Sequence, residues 1–380
     1  MGLFGTKKES FLGVDIGANG IKIVELHKSK ERPQLWTYGI VEQGLDIHVL
    51  RAEKTAGDLI EERTGSRPKQ NNSGALRRDT SLIEESKVQE YARLLTYLVK
   101  KSKIQARRAT SSLPVSEVFH TIINFPKMDK KHRDDLVKAE IAKLLPRPVE
   151  EMQIVHQELA TAPEDQKKYT RLLVTAAPKE LVAFYTAIFQ KAGLQLIELE
   201  TEAFALARSL VGKDNSVSML IDLGAERTNF FIVDNGIPVT HRSLQMGGHS
   251  IDEALARLLA VPVEKARHLK QDLSSCGENE ISFKPFVTLL DPISKEIQYN
   301  FDLYLKQIGN QNKRPEKIIL TGGSSLFPPL IDYIKKTFPL RVFVGDPWAR
   351  VLYQEGIKSV LDEFGPRMSV AVGLALRNFN

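Results

Sequence analysis

Three glycine-containing turns, two of them beside an aspartate, are the segments of this sequence best suited to chemistry. Asp15 and Asp222 each end an apolar run and are followed by a turn, at residues 16–20 and 223–225. A third turn, at residues 322–324, follows its own apolar run. Glycine leaves the backbone N–H groups of a turn free to approach phosphate oxygens. An adjacent aspartate could hold the waters of a Mg²⁺ ion, which keeps much of its hydration shell. The pattern indicates a site for a phosphate-bearing ligand with magnesium.

The segments around the first two turns predict β-hairpins. Residues 11–15 and 21–26 are typical of two strands, and the Asn-Gly pair between them is the commonest signal of a short hairpin. The same order of strand, turn and strand recurs at 217–222 and 230–233, with a second Asn-Gly pair at 235–236. This internal repetition predicts two similar α/β lobes, each opening with a three-strand meander.

A separate unit is expected between the two lobes, at residues 112–194. Apolar residues at helical spacing predict a helix over 128–145, with Asp129 placed to cap its start. A strand is expected at 171–176. A second helix is expected over 178–192, because a proline stands near its first turn and a glycine just past its end.

The two lobes take the rest of the chain. The first lobe is expected to have its core at 1–111, completed by 195–213 and 366–380. The second lobe is expected at 214–365, with its outer helices between about 246 and 314. Helices in this half of the sequence are predicted at 251–259, 264–273, 292–309, 328–338 and 369–377.

Composition excludes several classes of protein. The chain has 380 residues, enough for two hydrophobic cores, and a formal net charge of only +6 without a long single-sign block, so nucleic-acid binding is not implied. The basic and polar stretch at 61–81 is interpreted as a solvated loop. Cys276 is the single cysteine, which excludes an intrachain disulfide. With no secretory signal or membrane-spanning run, we expect a cytoplasmic protein.

The order of these motifs resembles the ATP-binding superfamily of actin, the heat-shock 70 chaperones, the sugar kinases and FtsA. Residues 15–22 match the phosphate-1 turn of that superfamily, 222–229 the phosphate-2 turn and 320–325 the adenosine turn. Residues 200–207 and 370–375 resemble its two connecting segments. The resemblance implies an α/β, two-lobed actin-like fold, which is a duplicated ribonuclease-H-like fold, with ATP and Mg²⁺ between the lobes.

The resemblance also implies roles for individual residues. Asp15 and Asp222 would hold Mg²⁺ through water. Glu200 matches the acidic position that orients water or metal in chaperone relatives, and it is the candidate catalytic residue. The implied nucleotide contacts are Gly17, Ala18, Asn19, Gly20, Lys22, Gly224, Ala225, Thr228, Asn229, Lys270, Gly322, Gly323 and Ser324.

Within the superfamily, the residues of several segments are most similar to those of the PilM family of type IV pilus assembly proteins, which are FtsA-like. The similar segments lie at 12–17, 125–128, 222–229 and 242–248. The resemblance implies that residues 112–194 form the inserted subdomain of FtsA and PilM. It implies docking of the cytoplasmic N-terminal peptide of PilN and, through it, of the PilO/PilP inner-membrane complex. The chain would then lie in the cytoplasm, peripheral to the inner membrane. Assembly of the chain into a homo-oligomer is a further option.

Four positions depart from the superfamily pattern. Ala18 and Asn19 stand where hydrolytic relatives usually offer hydroxyls, and Glu226 and Arg227 stand where Gly and Thr are common. A carboxylate near phosphates is repulsive unless it is paired. We therefore expect ATP binding with weak or no hydrolysis. Near the sugar of the nucleotide, Lys270 matches the FtsA-like pattern, but an arginine at position 267 replaces the usual acid.

Two other functions fit the same fold. An FtsA-type division protein would polymerise and bind the membrane through a C-terminal amphipathic helix, for which 374–380 leaves little room. A small-molecule kinase would need a carboxylate base facing a substrate pocket, and no motif in the sequence marks one.

Overall fold

The computed structural model describes residues 9–47, 73–126, 130–145, 147–159, 169–273, 282–307 and 309–379. Its strands are β1 (Ser10–Gly17), β2 (Gly20–His27), β3 (Gln34–Val41), β4 (Arg108–Leu113), β5 (Phe119–Pro126), β6 (Met152–Leu159), β7 (Tyr169–Pro178), β8 (Gln195–Thr201), β9 (Ser218–Leu223), β10 (Thr228–Asp234), β11 (Ile237–Leu244), β12 (Lys317–Thr321) and β13 (Arg341–Val344). Its α-helices are α1 (Ser73–Lys101), α2 (Lys130–Leu144), α3 (Lys179–Lys191), α4 (Glu202–Leu206), α5 (Gly248–Leu259), α6 (Val263–Leu273), α7 (Val287–Lys306), α8 (Pro328–Thr337) and α9 (Lys358–Leu376).

Two five-stranded sheets repeat one topology. Their strand orders are β3-β2-β1-β4-β8 and β11-β10-β9-β12-β13. In each sheet the first three strands in the chain form an antiparallel meander, and the last two join in parallel. The prediction of two α/β lobes on one plan is confirmed, and the fold is the actin-like duplication.

The first sheet is covered on both faces, which explains the composition of β1. Leu12, Val14 and Ile16 are buried in a core that also contains residues of α1 and α3. On the opposite face, Gly13 lets α9 come so close that a Cβ there would lie 2.1 Å from the backbone oxygen of Ala371. β1 is therefore buried on both faces and lies at the centre of the first lobe.

Helix α9 passes between the lobes and extends further than predicted. It begins at Lys358, eleven residues before the predicted start, with Pro366 inside it. Gly373 is packed so closely against α4 that a Cβ would lie 1.9 Å from the oxygen of Ala205. The carbonyl of Pro366 accepts hydrogen bonds from the Gly322 N–H at 3.1 Å and the Thr321 hydroxyl at 2.9 Å. The third glycine turn is thereby tied to α9.

The loop predicted at 61–81 is wrong for its last nine residues. Helix α1 already includes Ser73, and residues 61–72 lie outside the described part of the chain. The reason lies further along the helix, where Val88, Tyr91, Leu95 and Leu98 are buried against the first sheet. A buried apolar face of this length stabilises the helix as a whole.

A third sheet, ordered β5-β7-β6, forms the inserted unit. Its small core joins Phe125, Leu172 and Val174 to Val137 and Ile141 of α2. The predicted cap Asp129 lies outside the described residues, as does Cys276.

Helix α3 was predicted in the inserted unit, but its apolar face packs into the first-lobe core. Leu181, Phe184 and Ile188 share that core with Tyr91 and Leu95 of α1. We therefore propose that the inserted unit ends near Pro178 rather than at 194. Within the described ranges, no helix has both the length and the apolar character that a bilayer crossing needs.

Candidate functional site

A cleft of about 650 Å³ lies between the two sheets and is lined by residues of all three glycine turns. The predicted site residues on its walls are Asp15, Gly17, Ala18, Asn19, Lys22, Asp222, Gly224, Ala225, Asn229, Lys270, Gly322, Gly323 and Ser324. Gly20, Thr228 and Glu200 are not on the walls. The structure thus brings together thirteen of the sixteen predicted residues, taken from four distant parts of the sequence.

The first hairpin places Asp15 beside a cation. In the register of β1 and β2, Asp15 lies opposite Lys22, whose Nζ is 3.0 Å from Oδ2. The Ser112 hydroxyl donates to Oδ1 at 3.1 Å. Gly20 has φ +118°, and a Cβ there would lie 1.9 Å from the oxygen of Val41, so this glycine shapes the turn rather than the wall. Asp15, which is only 4% exposed, is fully partnered by its own lobe.

The second hairpin leaves Asp222 without such partners. It lies opposite Asn229 in the register of β9 and β10, and no described side chain donates a hydrogen bond to its carboxylate. Burial, followed by the charge of Asp15, raises the pKa of Asp222 to about 6. The Oδ1 atom of Asn229 is also buried and without a partner among the described residues. Thr228 is used elsewhere, since its hydroxyl donates to the carbonyl of Met246 at 2.7 Å.

Glu200 does not reach the cleft, so the prediction of a catalytic role for it is corrected. Its two carboxylate oxygens accept from the guanidinium of Arg208, at 2.6 and 2.8 Å. Arg208 also donates to the carbonyl of Gly373 on α9, at 2.7 Å. Glu200 therefore forms a buried ion pair that joins the two segments crossing between the lobes.

Glu202 is the acid that reaches the cleft at this point. It begins α4, and the change from strand to helix after Thr201 directs it into the cleft beside Asp15 and Asp222. Burial, then the charges of Asp222 and Asp15, raise the pKa of Glu202 to about 8. The backbone N–H of Val115 donates to its Oε2 at 3.4 Å. The sequence signal was present, but choosing between two acids two residues apart required the position of the strand end.

The wall around the third turn is built from close backbone approaches. Gly322 has φ +87°, and a Cβ there would lie 2.5 Å from the oxygen of Leu223. A Cβ on Gly248 would lie 2.7 Å from the Ser324 hydroxyl. Lys270 lies between them, donating to the Gly248 carbonyl at 3.1 Å and to Ser324 at 3.4 Å. Because these positions are glycines, no side chain fills the space along this wall, and a flat ligand could lie against it.

Asp252 was not predicted, yet it organises the same wall. It is 1% exposed and forms ion pairs with Lys270 at 2.5 Å and with Arg267 at 3.2 Å. Burial lowers the pKa of Lys270 against the opposing effect of Asp252. The spacing of Asp252 from these two cations carries no sequence signal, because it lies on α5 and they lie on α6.

The donor set of the cleft fits a hydrated magnesium ion and phosphates. Asp15, Asp222 and Glu202 share the cleft with the ammonium groups of Lys22 and Lys270. Within the described ranges, no three acidic, His or Cys side chains converge closely enough to hold a bare metal ion. Carboxylate oxygens are ligands that suit Mg²⁺, and they can hold it through its waters. The open walls at Gly17 and Gly224 would admit phosphate oxygens.

Comparison with known proteins agrees with this architecture. The sequence profile of the family described as type IV pilus assembly protein PilM matches residues 46–379. The fold is similar to a solved PilM-PilN type IV pilus biogenesis complex, with a TM-score of 0.73, 23% identity and coverage of 97% of this chain and 98% of that one. It is also similar to the MamK double helical filament, with a TM-score of 0.50, 14% identity and coverage of 98% and 99%.

Two cell division proteins FtsA match about half of the chain. The one from Neisseria meningitidis serogroup B is 24% identical over 228 residues, which cover 54% of this chain and 53% of FtsA. The one from Pseudomonas aeruginosa is 22% identical over 208 residues, covering 49% and 48%. The chain thus spans about half the length of the curated relatives that it matches.

Proposed function

Because the chain belongs to the PilM family of type IV pilus assembly proteins, we propose that it is a nucleotide-binding scaffold of the pilus assembly platform. Its ligands would be Mg²⁺-ATP in the cleft and an extended peptide at the inserted unit. The proposal of nucleotide binding rests on one observation: Asp15 and Asp222, which occupy equivalent positions in the two hairpins, line the same cleft.

Each wall of the cleft would take a different part of the nucleotide. The phosphates would lie between the turns at 17–20 and 224–226, where backbone N–H groups and Lys22 supply positive potential. Magnesium would supply the cationic partner that the Asp222 carboxylate does not have among the described residues. The base and sugar would lie along the wall of Gly322, Ser324 and Lys270, where the backbone approaches closely.

We propose that hydrolysis by the isolated protein is weak or absent. Ala18 and Asn19 line the cleft without hydroxyls. Glu202, with a pKa of about 8, holds its proton at neutral pH and is a poor general base in that form. Phosphate release well below about one turnover per second is expected, against the median near ten of dedicated enzymes.

The proposed partner is the cytoplasmic N-terminal peptide of a PilN-type protein, which would also connect the chain to the PilO/PilP complex and the inner membrane. The structural relative is described as a PilM-PilN complex. In this chain, β6 is an edge strand with Val155 60% exposed. Met152 of β6 pairs with Pro178, directly before α3. Among the described residues no strand pairs with the outer side of β6, and such a strand beside the first lobe can offer backbone donors and side-chain pockets to an extended peptide.

Titration of a PilN-type peptide into the full chain tests this partner. Val155→Lys should weaken peptide binding about tenfold by placing a charge on the exposed edge. Leu258→Lys, at a position of α5 that is 51% exposed, is the matched control and should bind normally. Unchanged affinity in a folded Val155→Lys variant would rule out the β6 edge. A deletion of residues 115–192 is unsuitable, because it removes α3 from the first-lobe core.

Capture of partners from native membranes separates the proposal from its alternatives. Recovery of pilus inner-membrane components supports the scaffold. Recovery of division proteins instead would favour an FtsA-type role, in line with the relatives that match half of their length.

A further inference from the structure

The end of the first sheet that lies away from the cleft carries two basic segments. The cleft includes the turn at 17–20, and the opposite end is where β1, β3, β4 and β8 begin and β2 ends. The connection from β2 to β3, at 28–32, has three Lys or Arg and one Glu. The segment at 100–108, from the end of α1 to the start of β4, has five Lys or Arg and no acid. These two segments together are named the basic end.

Contacts with β2 and β3 hold the two segments side by side. The carboxylate of Glu25 on β2 accepts hydrogen bonds from the backbone N–H of Gln105 at 2.7 Å and of Ala106 at 3.1 Å. The hydroxyl of Thr37 on β3 donates to the Ser102 carbonyl at 2.8 Å. Glu25 is 0% exposed, so its charge is used inside the protein and does not face the cations at the surface. The fold thus gathers charge from two parts of the chain that are distant in sequence.

The charge of the basic end is not neutralised by its neighbours. Its eight cations are all exposed, and Lys28 pairs with Glu9 at 3.1 Å. Lys30, Lys103 and Arg107 form no ion pair with any described residue. With Glu9 included, eight cations stand against two acids, an excess of six that equals the formal net charge of +6 of the whole chain. The rest of the chain is balanced, so the net charge of the protein is concentrated at this end.

Two exposed aromatic rings lie among these cations. Trp36 on β3 is 50% exposed and stacks on the ring of His27, with 4.5 Å between the ring centroids. Tyr97 in the last turns of α1 is 53% exposed, and the ammonium of Lys101 lies 5.6 Å from its ring centroid. Rings of this kind beside Lys and Arg are typical of surfaces at a membrane interface, because one part of the ring is apolar and the other polar.

We propose that the basic end binds directly to the surface of a bilayer that contains anionic phospholipids. Clusters of about four to eight Lys or Arg are the pattern that anionic headgroups attract. Five strands end side by side here, which makes this end about 20 Å wide at the usual strand spacing and suits it to a flat surface. Trp36 would enter the headgroup region between the cations. The contact goes beyond the proposed function, in which the membrane is reached only through the peptide partner, and it leaves the cleft at the opposite end open.

Co-sedimentation of the purified full chain with lipid vesicles tests the proposal. Vesicles of one part phosphatidylglycerol to two parts phosphatidylcholine should bind the protein at least about tenfold more tightly than vesicles of phosphatidylcholine alone. The binding should weaken as salt is added, because the charges are exposed and therefore screened.

Two variants that remove the same net charge locate the contact. The test variant replaces four cations of the basic end and should weaken binding about tenfold to a hundredfold; its changes are Lys30→Gln, Arg32→Gln, Lys103→Gln and Arg107→Gln. The control variant replaces four exposed cations of the second lobe and should keep most of the binding; its changes are Arg257→Gln, Lys265→Gln, Lys284→Gln and Lys306→Gln.

Tryptophan fluorescence gives a second measurement that does not depend on charge removal. The chain has two tryptophans, Trp36 at 50% exposure and Trp348 at 1%. A shift of the emission to shorter wavelength when phosphatidylglycerol vesicles are added would report Trp36 entering the headgroup region. Trp36→Phe should remove this shift and keep most of the binding.

Four results would overturn the inference. Equal binding to both kinds of vesicle, or to neither, removes the attraction to anionic lipid. Equal losses in the two charge variants assign the binding to net charge rather than to the basic end. Vesicle binding without an emission shift places the contact away from Trp36. Binding of a nucleic-acid duplex in preference to the anionic vesicles assigns the cations to a different polyanion.

Discussion

The two hairpins of the cleft have the same backbone plan and different electrostatics. Asp15 and Asp222 occupy equivalent positions near the ends of β1 and β9. Opposite Asp15 stands Lys22, whereas opposite Asp222 stands Asn229. The first carboxylate has its cation within the protein, whereas no described cation forms an ion pair with the second. The duplication repeats the geometry, and the residue in the opposing strand makes the electrostatic difference.

The neighbouring parallel strands differ in the same way. On β4, the hydroxyl of Ser112 donates to Asp15 at 3.1 Å. On β12, Thr321 lies opposite Asp222, but its hydroxyl donates to the Pro366 carbonyl and to Ser369. The second lobe therefore uses its equivalent hydroxyl to hold α9. Asp222 is left as a buried acid with a raised pKa.

The largest expected effect comes from removing the second carboxylate. Asp222→Asn should weaken Mg²⁺-ATP binding by on the order of 1.5–3 kcal/mol, which is about tenfold to a hundredfold, because a charged contact to the hydrated metal is lost. Calorimetric titration measures this, with Asp302→Asn, an exposed acid on α7, as the control. Unchanged affinity in folded Asp222→Asn would remove Asp222 from the metal site.

Asp15→Asn should act on the folded state itself. Lys22 is 17% exposed at its side chain and would lose its anionic partner, at a cost of about 1–3 kcal/mol in the free energy of unfolding. Asp222→Asn should have the opposite effect at pH 7, because it removes a buried charge without a partner. Urea unfolding of the ligand-free proteins distinguishes the two. Equal destabilisation by both changes would contradict the contrast between the hairpins.

The pH dependence of ligand-free stability follows from the raised pKa values. In the folded protein Asp222 titrates at about 6 and Glu202 at about 8, against ordinary values of 3.8 and 4.5. Between about pH 4 and pH 8 the folded state therefore binds more protons than the unfolded chain, and the free energy of unfolding should fall as the pH rises. Urea unfolding at pH 5 and pH 8 measures this fall. Asp222→Asn with Glu202→Gln should flatten it, and an equally steep fall in that double variant would assign it to other groups.

The sequence predicted those parts of the fold that have local signals. The first hairpin has an Asn-Gly pair in its turn, and a second Asn-Gly pair lies in the next turn of the second meander, between β10 and β11. The apolar spacing of α3 predicted a buried face, but periodicity does not say against which lobe that face packs. No helix was predicted over Ser73–Lys101, because its first turns are largely polar and were interpreted as part of the loop at 61–81.

The sequence predicted the parts of the candidate site that are built from backbone turns. It missed the parts where side chains from different elements meet. Glycine positions follow from turn chemistry, and thirteen predicted residues line the cleft. Glu200 was predicted from the resemblance alone, and only the end of β8 at Thr201 shows that Glu202 is the acid that reaches the cleft. Asp252 was missed because its partners lie on a separate helix. Tertiary contacts of this kind have no expression in sequence spacing.

The smallest predicted effect tests the comparison most directly, by giving the second hairpin the cation of the first. Asn229 is 9% exposed, lies opposite Asp222 and lines the cleft, so a longer side chain can extend into open space. Asn229→Lys should place an ammonium beside Asp222, lower the pKa of that carboxyl and raise ligand-free stability at pH 7 by about 0.5–1 kcal/mol. The same ammonium should compete with Mg²⁺ and weaken Mg²⁺-ATP binding. Asn229→Met, which adds length without charge, controls for packing and should raise neither the stability nor the dependence on pH. If both variants behave alike in urea unfolding at pH 5 and pH 8, the difference between the hairpins does not come from the charge opposite the aspartate.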